Sequence, residues 1–356
     1  MTRPTSITWC SLMLAGAMVV AAAPTAAPAQ VPDSRPELIT PRAEQAIGAA
    51  LAYLARTQSR DGSWRTGSYS GSYPCAMTSL AGLSLMAAGN TPVEGKYAPN
   101  VRKAVDYVLS CADGQSGLIA RAGEEQRPMY GHGFAMLFLA EAYGMERDVR
   151  RQQRIRTVLE AAIKLTGRSQ SPAGGWYYGP DSNSDEGSVT VTQIQGLRAC
   201  RNAGIMVPKQ VIDNACKYIE NSANPDGGIR YMVRQQGNSL PAITAAAVAV
   251  MYNAGEYENP VARGALKFIQ DLMTKSGPAR AFGGHKFYSL LYASQAMYLT
   301  GEDNWSGFFP AVRDDLVATQ SPDGSWAGDG VGATYGTAIG LLILQLPYRY
   351  LPILQR

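Results

Sequence analysis

Gln170-Ser171-Pro172-Ala173-Gly174-Gly175-Trp176 recurs as Gln58-Ser59-Arg60-Asp61-Gly62-Ser63-Trp64 and as Gln320-Ser321-Pro322-Asp323-Gly324-Ser325-Trp326. A degenerate copy reads Asn224-Pro225-Asp226-Gly227-Gly228-Ile229, and weaker ones sit at Ser116-Gly117-Leu118 and Ala281-Phe282-Gly283. Trp64 and Trp176 stand 112 residues apart and Trp176 and Trp326 stand 150 apart. These distances divide into units of roughly fifty residues, the range of solenoid and ring repeats, and the weak copies fall where the missing units belong. Gly at the bend supplies backbone angles that other residues resist. Pro172, Pro225 and Pro322 stop the preceding helix, Asp61 and Asp323 can accept backbone hydrogen bonds, and the Gln side chains can bond exposed carbonyls under the Trp.

Working outward from each turn, the preceding stretch is amphipathic. Ile47, Ala50, Leu51 and Leu54 share one helical face, as do Val211, Ile212, Ala215, Tyr218 and Ile219, while charges such as Arg102, Arg154 and Lys267 lie on the opposite faces. The following stretches, 77–88, 133–143, 189–203, 242–254, 288–299 and 334–346, are apolar nearly all round and are expected to be buried. Alternation of the two kinds predicts an all-α protein: an α/α toroid with six outer helices around six inner ones, closed as a barrel.

The rest of the chain narrows the function classes. It has 356 residues, 46% hydrophobic and 17% charged, with 32 Lys and Arg against 28 Asp and Glu, a formal charge of +4. So mild a positive excess without basic runs argues against nucleic acid as a partner. Arg3 followed by the apolar run Ile7 to Ala23 and by Ala27-Pro28-Ala29 reads as a secretory signal peptide over residues 1–29, cleaved near Ala29. Residues 30–40 are then a Pro-rich lead-in and 41–356 a single toroid domain in an exported protein, periplasmic or extracellular. No other apolar run reaches membrane-spanning length. Cys75, Cys111, Cys200 and Cys216 make an even count compatible with disulfides Cys75–Cys111 and Cys200–Cys216, or with small buried core residues.

The Gln-x-x-x-Gly-x-Trp turns resemble those of the prenyltransferase and squalene-cyclase repeat family, over about residues 41–346, and the ending from Tyr335 to Pro352 looks like that family's exported bacterial branch. The resemblance implies a toroid with a central cavity and a hydrophobic, isoprenoid-like ligand. The cyclases' Asp-x-Asp-Asp and the protein prenyltransferases' Asp-x-Cys do not occur in this chain. No cofactor is expected, and a hydrophobic small molecule or an envelope protein is the expected partner.

If all inner helices run the same way, the residues after each turn gather at one mouth. Both histidines, His132 and His285, fall in that set and could act as acid or base, or with Asp185 hold a metal. Asp185 and Glu186 are candidate proton donors if burial raises a pKa; the plainer reading has Asp185 capping the third inner helix. Tyr130, Tyr177, Tyr178, Tyr288, Tyr292 and Tyr335 are the candidate ligand-binding residues, whose ring faces can stabilise a cation or simply pack. Three functions follow from these groups: a ligand-binding toroid, a terpenoid cyclase or isomerase with an acid at the mouth, and a carbohydrate-active barrel using Asp185 or Glu186 with Glu124, Glu125 or Asp329 as paired carboxylates.

Overall fold

The computed structural model describes Met1 and residues 35–67, 71–180 and 183–355. The expected signal peptide lies, past Met1, outside the described residues, as do residues 30–34, Tyr69, Asp181 and Ser182. The described secondary structure is helical, and Pro36–Arg356 forms one unit. Helices α1 (Pro41–Thr57), α3 (Ala98–Ser110), α5 (Val149–Arg168), α7 (Lys209–Asn221), α9 (Pro260–Ser276) and α11 (Glu302–Thr319) alternate with α2 (Pro74–Ala87), α4 (Pro128–Met145), α6 (Gly187–Asn202), α8 (Pro241–Ala254), α10 (Lys286–Leu299) and α12 (Ala333–Leu344). None of the described helices is long and apolar enough to cross a membrane.

The even-numbered helices pack in a closed order, α2 on α4, α4 on α6, and so on to α12 on α2. They are the inner ring, buried on nearly every face, as their unbroken apolar character dictates. The odd-numbered helices bury one stripe each, for example Ile155, Leu159, Ala162 and Ile163 of α5, and turn charges outward. The expected toroid is thus observed. Inner helices start earlier than their apolar runs suggest, because Pro74, Pro128 and Pro241 occupy the first helical turn, where a missing N–H costs nothing.

The turns work as staples between repeats. Gln170 Nε2 donates to Gly174 O within its own turn (2.8 Å) and to Val211 O in the next outer helix (2.9 Å). Gln58 does the same to Gly62 O and Asn100 O, and Gln320 to Gly324 O and Ala46 O, the last bond closing the ring back onto α1. Each Trp is buried and donates its indole N–H to the outer helix just before it: Trp64 to Leu54 O, Trp176 to Thr166 O, Trp326 to Leu316 O. Gly174 has φ +99°, and a Cβ there would lie 2.2 Å from Asn214 O of α7. The turn can therefore approach the next outer helix only as glycine.

The expected disulfides are not present: Cys75, Cys111, Cys200 and Cys216 are buried free thiols. Cys75 Sγ faces the carbonyls of Ile119 and Gly131 at 3.7 and 3.9 Å, and its thiol meets that of Cys111 as a hydrogen-bond partner rather than a bonded one. Burial pushes the Cys200 thiol up, and burial together with the charges of Glu256, Glu220 and Asp213 pushes that of Cys216 to about 12.

Candidate functional site

The inner helices enter the barrel at one mouth, and their first turns are capped largely from the following repeat. Glu125, in the loop before α4, accepts the N–H groups of Cys75 (2.8 Å) and Ala76 at the start of α2. Tyr178 O accepts Met129 N of α4, Tyr231 O accepts Gly187 N of α6, and Asp329 Oδ2 accepts Phe287 N of α10 (2.7 Å). These bonds satisfy donors that a helix leaves open and lock neighbouring repeats together. The Glu125 carboxyl is raised to about 7, burial outweighing the N–H donors it meets.

Glu186 is fully buried and caps α6. Its carboxylate accepts Ser188 N (2.8 Å), Ser188 Oγ (2.6 Å) and Val189 N, and the Tyr231 phenol donates to it as well. Burial lifts its pKa, and the donors from Ser188, Tyr231 and Val189 pull it part of the way back. Capping of α6 by Asp185 is therefore corrected to capping by its neighbour. Asp185 turns the other way and accepts Ser171 Oγ at 2.9 Å, under Gly175, whose Cβ would lie 2.9 Å from Asp185 Cβ. In the first and sixth turns a carboxylate also ties the turn together, but from within it: Asp61 and Asp323 bind Ser63 and Ser325. The third turn has Ala173 and Gly175 at those places, and its carboxylate, Asp185, comes from outside the turn and binds Ser171.

His132 and His285 do not meet. His132 is fully buried on α4, where Nδ1 accepts Ile119 N (3.1 Å) and Nε2 bonds Thr166 Oγ1 (3.0 Å) of outer helix α5. Trp64 N, Trp176 N, Ile229 N and Trp326 N donate in the same way to Thr78, Thr190, Thr244 and Thr337. His132 thus stands where other repeats place a threonine, and burial lowers its pKa to about 4, leaving the ring neutral. His285 is exposed at the start of α10. Among the described residues no three His, Cys, Asp or Glu side chains gather closely enough to hold a metal ion.

The tyrosines do converge. Tyr130 on α4 bonds Ser188 Oγ at 2.5 Å, so its hydroxyl lies one atom from the Glu186 carboxyl. Its ring is 5.9 Å from that of Tyr178, which meets Tyr177 at a tilt of 37° with centroids 4.3 Å apart and bonds Tyr231 Oη at 2.9 Å. Across the barrel, Tyr288 and Tyr292 share one face of α10 with ring centroids 4.9 Å apart. Burial drives the Tyr288 phenol well up, and Tyr292, Tyr130, Glu186 and Tyr335 add to the rise. Helix α10 stands opposite α4 in the ring, and α12, which carries Tyr335, stands opposite α6. Tyr288 of α10 feels Tyr130 of the opposite α4, and Tyr335 feels both Tyr130 and Tyr292, so these rings draw together on the inner side of the helix ring, as an aromatic basin near Glu186. Below it, Gln195 of α6 donates to Gln295 of α10 at 2.6 Å, inside the Ala-rich α8. That buried bond bridges α6 and α10 about 12 Å below the start of α6, at 1.5 Å per residue, and serves as the floor of the basin. At the rim, the guanidinium of Arg127 lies 4.2 Å from the Tyr178 ring centre, a cation–π contact.

Tyr231 and Arg127 are basin residues that the sequence patterns passed over. Tyr231 had a signal: it stands two residues past Ile229, as Tyr178 stands two past Trp176, the equivalent turn position. The carboxylates imagined as pairs are divided among separate duties. Glu125 caps α2, Asp329 caps α10, Glu124 pairs with Arg65 at 3.0 Å, and neither Asp185 nor Glu186 faces any of them through a bond.

No family model matches the chain, and no curated protein matches it in sequence. Solved structures do match in fold. The type II terpene cyclase MstE from Scytonema, in its apo form, superposes with a TM-score of 0.60 over 87% of this chain and 99% of its own, at 16% identity. An MstE variant in complex with its substrate geranylgeranyl dihydroxybenzoate gives 0.59 over 87% and 98%, also at 16% identity. An inactive variant of the α-1,6-mannanase GH76A of Salegentibacter, in complex with α-1,6-mannotriose, gives 0.61 over 85% and 98% at 8% identity. The chain has the α/α-toroid fold of the prenyltransferase and squalene-cyclase type, and at these identities the likeness is one of fold.

Proposed function

We propose that this toroid binds a hydrophobic, isoprenoid-like molecule in the tyrosine basin at its mouth, and that it does so outside the cytoplasm after loss of its N-terminal signal. The observation that carries the reading is the convergence of Tyr130, Tyr178, Tyr288, Tyr292 and Tyr335, from four repeats, above the Gln195–Gln295 bond. Rings of this kind supply large apolar faces for a hydrocarbon and cost little rotamer freedom on binding. Export is supported by Arg3, the apolar run Ile7 to Ala23 and Ala27-Pro28-Ala29.

Binding is favoured over cyclisation by the state of Glu186. A carboxyl that protonates an alkene needs a free, acidic O–H aimed at the ligand. Glu186 instead receives Ser188 N, Val189 N, Ser188 Oγ and the Tyr231 phenol, which leave it engaged as an acceptor. A glycosidase needs two carboxyl groups facing one bond, and the acids here are divided among helix ends and an ion pair.

The test is equilibrium binding of geranylbenzene to the mature protein, followed by intrinsic fluorescence. Saturable binding is expected, weakened about tenfold or more by Tyr130→Ala, as expected for removal of a buried aromatic anchor. Absence of saturable binding contradicts the proposal.

A further inference from the structure

Two polar atoms of the basin are left over after every bond has been assigned. The hydroxyls of Tyr288 and Tyr292 are buried and meet no hydrogen-bond partner, although the Tyr130, Tyr178 and Tyr231 hydroxyls are all engaged. Tyr292 is 0% exposed. Both residues sit within the first two turns of α10, on the face turned toward Tyr130 of the opposite α4 and Tyr335 of the neighbouring α12. A phenol donor buried without an acceptor is costly, and a stable fold keeps one where a ligand or bound water supplies what is missing.

Building on the ligand-binding reading above, we infer that the basin selects a neutral isoprenoid whose leading end carries carbonyl-type acceptor oxygens, received by the Tyr288 and Tyr292 hydroxyls. Three features define this class. The two donors lie one helical turn apart, about 5–6 Å between their Cβ atoms, so a flat oxygenated ring spans them better than a single hydroxyl does. The head is neutral, because it would lie among buried phenols beside Glu186, where desolvation dominates and an unpaired charge is strongly disfavoured. The apolar chain stays toward the mouth, because the buried polar Gln195–Gln295 bond joins α6 to α10 about 4–5 Å, three residues along α10, below Tyr292, where a hydrocarbon would have to break it to pass. A long prenyl tail therefore leaves past Tyr130, Tyr178 and Arg127, where half-buried rings line its way out.

The experiment compares two probes of equal chain length on the same protein, geranyl-para-benzoquinone and geranylbenzene, by calorimetric titration. The quinone is expected to bind at least tenfold more tightly, the discrimination that hydrogen bonds to buried donors provide. In the double variant Tyr288→Phe/Tyr292→Phe the ratio of the two affinities is expected to fall to near one. Thermal melting accompanies the titration; removing unpartnered hydroxyls is expected to leave the melting temperature equal or higher, so a lost preference reads as lost recognition and not as unfolding. Equal affinity for the two probes, or a ratio untouched by the double substitution, overturns the inference and leaves the basin as a plain hydrocarbon site. Binding of neither probe overturns the ligand-binding reading itself, and the inference with it.

Discussion

Tyr178 and Tyr231 meet hydroxyl to hydroxyl at 2.9 Å although 53 residues separate them, because each stands two residues past the last position of its own turn, Trp176 or Ile229. Their backbone carbonyls cap consecutive inner helices, α4 and α6, and their side chains enter one basin. The same repeat geometry that builds the barrel therefore also builds its mouth.

The staples give the first expectation. Gly174 has φ +99° and no room for a Cβ against Asn214 O, whereas Gly204 has φ +76° with open space around it. Gly174→Ala is expected to cost several kcal/mol, from backbone strain together with a displaced α7, and Gly204→Ala only about 1 kcal/mol. Chemical denaturation of the two variants measures the gap. Equal losses would contradict the stapling role of the turn.

His132 supplies a pH dependence of known sign. Its pKa is about 4 in the folded protein against an ordinary 6.5, so the unfolded chain binds the extra proton between those values. Stability from this residue is full above pH 6.5 and is lost as pH falls toward 4, by about 3 kcal/mol at most. His132→Thr, which restores the side chain found at Thr78 and Thr190, is expected to flatten that acid limb. Melting curves of both proteins between pH 7 and pH 4 decide it; parallel curves would show that His132 does not titrate there.

Glu141 titrates with the opposite sign. It lies buried on α4 near the far end of the barrel, with Oε1 accepting Ile353 N from the C-terminal segment (3.2 Å) and Oε2 without a partner. Burial raises its pKa to about 7, so the folded state holds a proton that the unfolded state gives up above pH 4.5. Its contribution falls as pH rises from 4.5 to 7, by about 3 kcal/mol. Glu141→Gln is thus expected to gain on the wild type steadily across that window and then hold its lead. A constant difference in melting temperature would contradict this.

For Glu186, substitution by Ala removes the acceptor for Ser188 N, Val189 N and the Tyr231 phenol. A loss of about 2 kcal/mol is expected, in the range for stranded buried donors and a lost helix cap. Denaturant titration would contradict the capping role if the variant matched the wild type.

The fold was legible because its signals are local and repeated. Trp64, Trp176 and Trp326 mark the turns outright, and all-apolar runs such as Ala242 to Ala254 can only be buried. The basin was legible in part, since Tyr130, Tyr178, Tyr288, Tyr292 and Tyr335 follow their turns closely in sequence. What stayed hidden depends on side-chain direction. Nothing local tells that Asp185 bends back to Ser171 while Glu186 caps α6, or that His132 takes the threonine place in its repeat. Cys75 and Cys111 are neighbours as the topology implies, yet meet as thiols, and Cys200 and Cys216 face different surroundings. Tyr231 escaped because Ile229 replaces the Trp that would have set its register.

The most direct measurement is native mass spectrometry of the mature protein, purified gently from the cell fraction that holds it. The account predicts a neutral isoprenoid adduct, one per chain, that is lost in Tyr130→Ala. A bare chain that also takes up neither geranylbenzene nor its quinone counterpart when these are added would contradict it.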